Sequence, residues 1–128
     1  MLRAFRSAFL ASVPCAFPTL SANSAWMGGG IANQGYGDIN VVNSTLADNS
    51  APDGGGGIFN RGILRMTNVT VVRNQSWAAL LPHPGGVANK GGTLHFTNTI
   101  IAYSGGDGDC ANYEGTSHEG TISTSHNN

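Results

Sequence analysis

Charged residues are scarce in this chain of 128 residues. Only 10% of its side chains are charged, and six basic against seven acidic residues leave a formal net charge of −1. Proteins that bind nucleic acid usually carry a basic patch or stripe, and no run of either sign is present here. The composition therefore predicts that nucleic acid is not a partner.

Long apolar stretches and cysteines are also lacking. No stretch approaches the ~20 apolar residues that cross a bilayer as a helix, so no transmembrane segment is predicted. Cys15 and Cys110 are too few for a disulfide framework and lie far apart in the chain. We expect Cys110 to have no disulfide partner within the chain.

The signatures of common catalytic sites are missing as well. The glycine runs lack the Gly-Lys-Ser/Thr of a phosphate-binding loop, and no Gly-x-Ser-x-Gly motif is present. The histidines form no i, i+4 pair, so they are expected at the surface rather than on zinc. They are His83, His95, His118 and His126. The sequence predicts no cofactor and assigns no catalytic residue.

A degenerate repeat dominates what is present, and its clearest copy spans 55–74. Gly-rich units at 28–33, 55–60 and 85–89 are each followed by short alternating apolar segments and an Asn. A period of about 25 to 30 residues with short strands between Gly and Asn is typical of a solenoid. No segment has the 3.6-residue apolar spacing of a helix. The predicted fold is all-β, a right-handed parallel β-helix of about three coils.

Stacked coils should place equivalent apolar side chains above one another in the interior. Four inward ladders are predicted: Ile39, Leu64 and Leu94; Val41, Met66 and Phe96; Leu46, Val71 and Ile101; and Ile31, Ile58 and Val87. Two columns of asparagine are predicted at the corners, because Asn tolerates positive φ and stacked amides can hydrogen-bond. These structural ladders are Asn33, Asn60 and Asn89, and Asn43, Asn68 and Asn98.

Three segments are expected along the chain. Residues 1–18 resemble an atypical leader or secretory signal, with Arg3 and Arg6 before an apolar stretch that Pro14 interrupts. Residues 19–103 form the β-helix repeats, and 104–128 form a loop and a partial terminal coil. Since no polar cap is recognisable, self-association through the ends of uncapped coils is expected.

Candidate binding residues lie on the outward positions of the strands and in one insertion. Asn40, Arg65 and His95 are equivalent and polar, so they should form an outward stripe. The segment 74–84 lengthens one connection and contains Trp77, which makes it a candidate binding loop. The alternative is that Trp77 and Leu80 only cover the coil beneath them.

Acidic residues offer one weak metal hypothesis. Asp107 and Asp109 lie in Gly105-Gly106-Asp107-Gly108-Asp109-Cys110, which partly matches a calcium-binding Gly-Gly-x-Gly-x-Asp repeat. The alternative is an acidic solvent loop. The other aspartates occupy different repeat positions, so no pair with the ~6.5–9.5 Å separation of an inverting glycosidase is expected.

The Gly-Gly-Gly-Ile-x-Asn units and the stretches Thr67-Asn68-Val69-Thr70-Val71 and Asn98-Thr99-Ile100-Ile101-Ala102 resemble the bacterial β-helix repeat proteins of pectin-lyase-like fold. The units also resemble those of polymorphic outer-membrane adhesins. The resemblance begins near Thr19 and implies a fragment of a longer, secreted or cell-surface protein. It implies a non-enzymatic scaffold or adhesion segment that contacts polysaccharide or a host-surface ligand. The alternative is a carbohydrate-active enzyme or a carbohydrate-binding module on the same fold.

Overall fold

The computed structural model describes residues 18–35, 37–77, 83–113 and 121–125. Twelve β-strands and no helix lie within these ranges. In chain order they are β1 (Thr19–Ser21), β2 (Ile31–Asn33), β3 (Asp38–Val42), β4 (Thr45–Ala47), β5 (Ile58–Asn60), β6 (Ile63–Thr67), β7 (Thr70–Val72), β8 (Val87–Lys90), β9 (Thr93–Thr97), β10 (Ile100–Ala102), β11 (Cys110–Tyr113) and β12 (Thr121–Ser125).

Every strand pairs with the strand three places along the chain. The first sheet has the order β1-β4-β7-β10, the second β2-β5-β8-β11 and the third β3-β6-β9-β12. All of these pairs are parallel. One coil therefore contributes one strand to each sheet, and successive coils stack at the strand spacing of ~4.8 Å. This is the predicted parallel β-helix of about three coils.

The interior is filled by the four predicted ladders. Strand register aligns Ile39 with Leu64 and Leu94, and it aligns the other three sets in the same way. The central members are almost entirely buried and form one hydrophobic core with four members of the adjoining coils, Val41, Leu46, Val87 and Leu94. The other outer members are only partly buried and pack against this core; they are Ile31, Ile39, Phe96 and Ile101. Full burial of one such aliphatic side chain stabilises the fold by roughly 1.5–3 kcal/mol.

The corner between the third and first sheets is formed by an exposed asparagine column. Asn43, Asn68 and Asn98 have φ angles of 49°, 55° and 47°, a region that Asn tolerates better than most residues. Asn68 Nδ2 donates to Asn43 Oδ1 at 2.9 Å, and Asn98 Nδ2 donates to Asn68 Oδ1 at 2.7 Å. Each residue therefore turns the chain and ties its coil to the coil below.

The corner between the second and third sheets is formed by a buried asparagine column. Asn33 Nδ2 donates to Asn60 Oδ1 at 2.8 Å, and Asn60 Nδ2 donates to Asn89 Oδ1 at 2.7 Å. Asn89 Nδ2 extends the column by donating to Asn112 Oδ1 at 2.8 Å. Because these amides also donate to carbonyl groups of the following turn, they satisfy buried backbone oxygens that the turn leaves unpaired.

The glycine runs allow neighbouring coils to approach closely before the second sheet. At Gly56, an added Cβ atom would lie 2.2 Å from the backbone oxygen of Gln75 in the next coil. No side chain fits at that distance without moving backbone. Glycine is therefore required here by the stacking of the coils rather than by local flexibility.

The last described strands continue two of the sheets. In β11, Cys110 aligns with Val87 of β8, and in β12, Thr121 aligns with Thr93 of β9. The segment expected to hold a loop and a partial coil thus contains two strands that stack on the repeats before them.

Candidate functional site

The expected outward stripe lies on the third sheet. Strand register aligns Asn40 with Arg65 and Arg65 with His95, so the three residues occupy one column across three coils. Asn40 and Arg65 are exposed, and His95 is half-buried. The Arg65 guanidinium pairs with the carboxylate of Asp38, which lies one coil below it. A ligand of this column would compete with Asp38 for Arg65.

Trp77 does not lie with this column. It follows Gln75, which forms a parallel bridge with Ser50 between the first and second sheets. Trp77 is 60% exposed, so most of this residue faces solvent. Leu80 and the rest of 78–82 lie outside the described residues. The candidate binding residues therefore belong to two separate sides of the solenoid.

The carboxylates of the metal hypothesis both accept backbone N–H groups. Asp107 Oδ2 accepts from His83 N at 2.7 Å, and Asp109 Oδ1 accepts from Ser104 N at 2.6 Å. Within the described ranges no group of three or more His, Cys, Asp or Glu side chains could hold a metal ion. The geometry thus explains both aspartates as braces of the loop between β10 and β11.

A third asparagine column, which the sequence analysis did not identify, closes the remaining corner. Asn23 Nδ2 donates to Asn49 Oδ1, and Asn49 Nδ2 donates to Asn74 Oδ1, both at 3.0 Å. Asn49 and Asn74 are fully buried. Asn74 was placed both at the end of the repeat copy 55–74 and at the start of the insertion 74–84; the structure makes it part of the regular coil, so the lengthened connection begins after it. The regular spacing of these three residues in the sequence was the available signal.

His83 is also placed differently from the expectation. It was expected at the surface, but it is only 5% exposed, and its Nδ1 atom has no hydrogen-bond partner among the residues that the structure describes. The hydroxyl of Ser76 is likewise buried, with no partner in the described ranges. The reason for the burial of His83 is the loop after β10, where Asp107 N donates to the His83 carbonyl oxygen and Asp107 accepts from the His83 amide. This pairing holds the His83 backbone against the coil.

Charged pairs across coils are the main electrostatic feature of the outer surface. Arg73 Nη2 lies 2.8 Å from Asp48 Oδ2, and both side chains are at least half exposed. The hydrogen bond from Arg73 lowers the pKa of the Asp48 carboxyl; desolvation opposes this shift, and the charge of Arg73 adds to it. Exposed pairs of this kind contribute little to stability, because water and salt screen the attraction.

Cys110 has no disulfide partner among the described residues, and Cys15 lies outside them. Although the residue as a whole is exposed, desolvation of the thiol, followed by the negative charge of Asp109, raises the pKa of Cys110 to about 11. The thiol therefore stays protonated at neutral pH. Since the thiolate is the reactive form, the raised pKa makes the Cys110 thiol less reactive at neutral pH than a free thiol.

Comparisons of the chain with protein-family models, with curated proteins and with solved structures found no match. Within the described residues, no helix is long and apolar enough to cross a membrane. Function must therefore be argued from the coil geometry and from the side chains that the coils present.

Proposed function

We propose that the chain is a non-enzymatic β-helical scaffold or adhesion segment of a secreted or cell-surface protein. The support is the columnar surface. Outward residues one coil apart stand in register, as Asn40, Arg65 and His95 do on the third sheet. A solenoid of this kind offers an extended, repetitive face to a large partner rather than a closed pocket to a small one.

The side-chain hydrogen bonds between successive coils suit such a role. Each of the three corners has a column of hydrogen-bonded asparagine side chains, and two of the columns are buried. Buried amide columns resist separation of the coils, because an unpaired buried amide costs free energy. The outward columns are therefore displayed on a rigid support, which lowers the entropy lost on binding.

Low charge and abundant neutral polar residues support placement outside the cell, and the resemblance to pectin-lyase-like repeat proteins supports the same location. We propose that the coils belong to that class of β-helix. The ligand expected on this basis is a polysaccharide or another component of a cell surface.

Adhesion under flow tests the proposal. Beads coated with the purified chain should be retained on layers of epithelial cells or on immobilised polysaccharide more strongly than beads coated with albumin. Retention should need neither a cofactor nor turnover of the polysaccharide. Equal retention of both kinds of bead on every surface would contradict an adhesive role.

A carbohydrate-active function is the second candidate, and the Arg65–Asp38 pair beside His95 is the observation that favours it. This arrangement places two charged groups and an imidazole on one outer face. Incubation with neutral and acidic polysaccharides, followed by assay of new reducing ends and unsaturated products, separates the candidates. Turnover that is abolished by Arg65→Ala would replace the adhesive proposal by an enzymatic one.

A further inference from the structure

Two tryptophans and a proline occupy equivalent positions in three consecutive coils. Parallel bridges align Ser24 with Ser50 and Ser50 with Gln75. Two residues after these bridges come Trp26, Pro52 and Trp77. We call these three residues the Trp column.

Backbone hydrogen bonds hold this part of the coils in register. Ala25 N donates to the carbonyl oxygen of Ser50 at 3.1 Å, and Ala51 N donates to that of Gln75 at 3.0 Å. One step further along the chain, Asp53 N donates to the carbonyl oxygen of Trp26 at 3.0 Å. Bonds on both sides therefore align Trp26 with Pro52, and the bonds before Trp77 align it with Pro52.

The tryptophans are displayed to solvent rather than packed. Trp26 is 70% exposed and Trp77 is 60% exposed, whereas Ser76, one position before Trp77, is buried and Ala25, one position before Trp26, is half-buried. Burial and exposure therefore alternate along this segment as they do in a strand. Trp26 and Trp77 are also the only tryptophans in the sequence. Two large apolar rings left in water on one side of a rigid solenoid indicate an interaction surface.

The spacing and the chemistry of this surface indicate its ligand. Trp26 and Trp77 are two coils apart, which corresponds to about 10 Å at the strand spacing. This is on the order of the repeat of a disaccharide unit in an extended β-linked glycan. Ser24 and Gln75, which are exposed beside the column, are uncharged hydrogen-bonding residues. No member of the column is charged, so an acidic polymer would find no counter-charge there.

We propose that the Trp column binds a neutral, extended β-1,4-linked glycan chain. Two alternate sugars of the chain each stack one ring face, one sugar on Trp26 and the other on Trp77. The sugar between them lies over Pro52. A pyranose ring with equatorial hydroxyls presents its C–H groups on both faces, and these match the electron-rich face of an indole ring. The Ser24 hydroxyl and the Gln75 amide lie beside the column, where they accept hydrogen bonds from the sugar hydroxyls and donate hydrogen bonds to them. This inference rests on the proposed adhesive function and gives it a ligand class and a site.

Tryptophan fluorescence provides a direct test, because all indole emission of the chain comes from the proposed site. The full chain is titrated with cellohexaose, with the curved α-linked maltohexaose and with acidic polygalacturonate. We expect cellohexaose alone to shift the emission to shorter wavelength, since stacking removes water from the rings. Calorimetry gives the affinity.

Trp26→Ala and Trp77→Ala should each weaken cellohexaose binding about tenfold, and the double variant should abolish it, because each change removes one stacked ring. Ile100→Ala is the matched control, since Ile100 is 57% exposed on the first sheet, away from the column. Its affinity should be unchanged. Thermal unfolding of all variants should match that of the parent, and Trp→Phe changes at the same positions should retain most of the binding.

Three results would overturn the inference. The first is that the parent chain does not respond to cellohexaose, and the second is that the double variant binds cellohexaose as tightly as the parent. The third is that the parent chain is an oligomer and the double variant a monomer, since a second copy of the chain would then occupy the Trp column. The bead-retention assay distinguishes failure of the Trp-column inference from failure of the proposed adhesive function. If beads carrying the double variant still adhere as well as the parent, adhesion stands and the Trp column is not its site.

Discussion

Replacement of Asn74 by Ala tests whether the buried amide columns hold the coils together. Asn74 is fully buried. Its Oδ1 atom accepts both the backbone N–H and the side-chain Nδ2 of Asn49 at 3.0 Å. Its Nδ2 atom donates to the carbonyl oxygen of Leu46, also at 3.0 Å. Alanine removes all three bonds and leaves the buried N–H of Asn49 without this acceptor.

The expected loss of unfolding free energy follows from the buried groups that Asn74→Ala leaves without hydrogen-bond partners. A buried backbone group without a partner costs about 1–3 kcal/mol, and each further lost hydrogen bond contributes about 1 kcal/mol. The free energy of unfolding should therefore fall by on the order of 3 kcal/mol. Against a typical total of about 5–15 kcal/mol, this loss is large.

Urea unfolding followed by circular dichroism measures the change through the transition midpoint. Asn68→Gly is the control, because Asn68 makes two similar side-chain bonds in the exposed column, and glycine accepts its φ of 55°. Water can replace the lost partners there, so the control should lose less than about 1 kcal/mol. Equal losses in the two variants would refute the argument that desolvation makes the buried column the stronger tie.

Three further predictions concern other parts of the coils. Gly56→Ala should prevent folding or lower the free energy of unfolding by more than about 3 kcal/mol, because the added Cβ atom would overlap backbone atoms. Gly105→Ala is the control: its Cβ atom would meet its nearest neighbour at 3.4 Å, so the change should be tolerated in the same urea assay. Alkylation of Cys110 by iodoacetamide should be slow at pH 7, and its rate should rise with pH to a midpoint near pH 11. A midpoint near pH 8.5, the pKa of a free thiol, would contradict the desolvation of this thiol. NMR titration should give Asp48 a pKa below its ordinary value of 3.8, and this lowering should vanish in Arg73→Met, which removes both the hydrogen-bond donor and the charge. Because the folded pKa is lowered, the stabilisation is present above pH 3.8 and is lost as pH falls through the folded pKa.

Much of the fold was predictable because the pattern that determines it is local. Leu64 and Met66 alternate with Arg65, and the same alternation returns at Ile39 and at Leu94. A period of two in each segment defines which side chains face inward, and the repeat along the chain defines which coils stack. Both quantities can be measured in the sequence without knowing the path of the chain.

The candidate site was predictable only in part, because it depends on where the irregular segments lie. Asn40, Arg65 and His95 are strand residues, so their alignment followed from the repeat. Trp26 was overlooked, since it lies in a connection where the sequence has no alternation to mark its equivalence to Trp77. Only the bridges around Ser50 show that these tryptophans share one side of the solenoid.

The sequence by itself determined the coil, with its three strands, its inward ladders and two of its asparagine corners. Tertiary structure decided which polar residues are removed from water. Asn74 and His83 lie in a segment that looked like a surface insertion, yet both are buried by the neighbouring coil and by the loop after β10. The physical reason is that burial of a corner residue depends on what stacks ~4.8 Å above it, and that neighbour lies some 25 residues away in the chain.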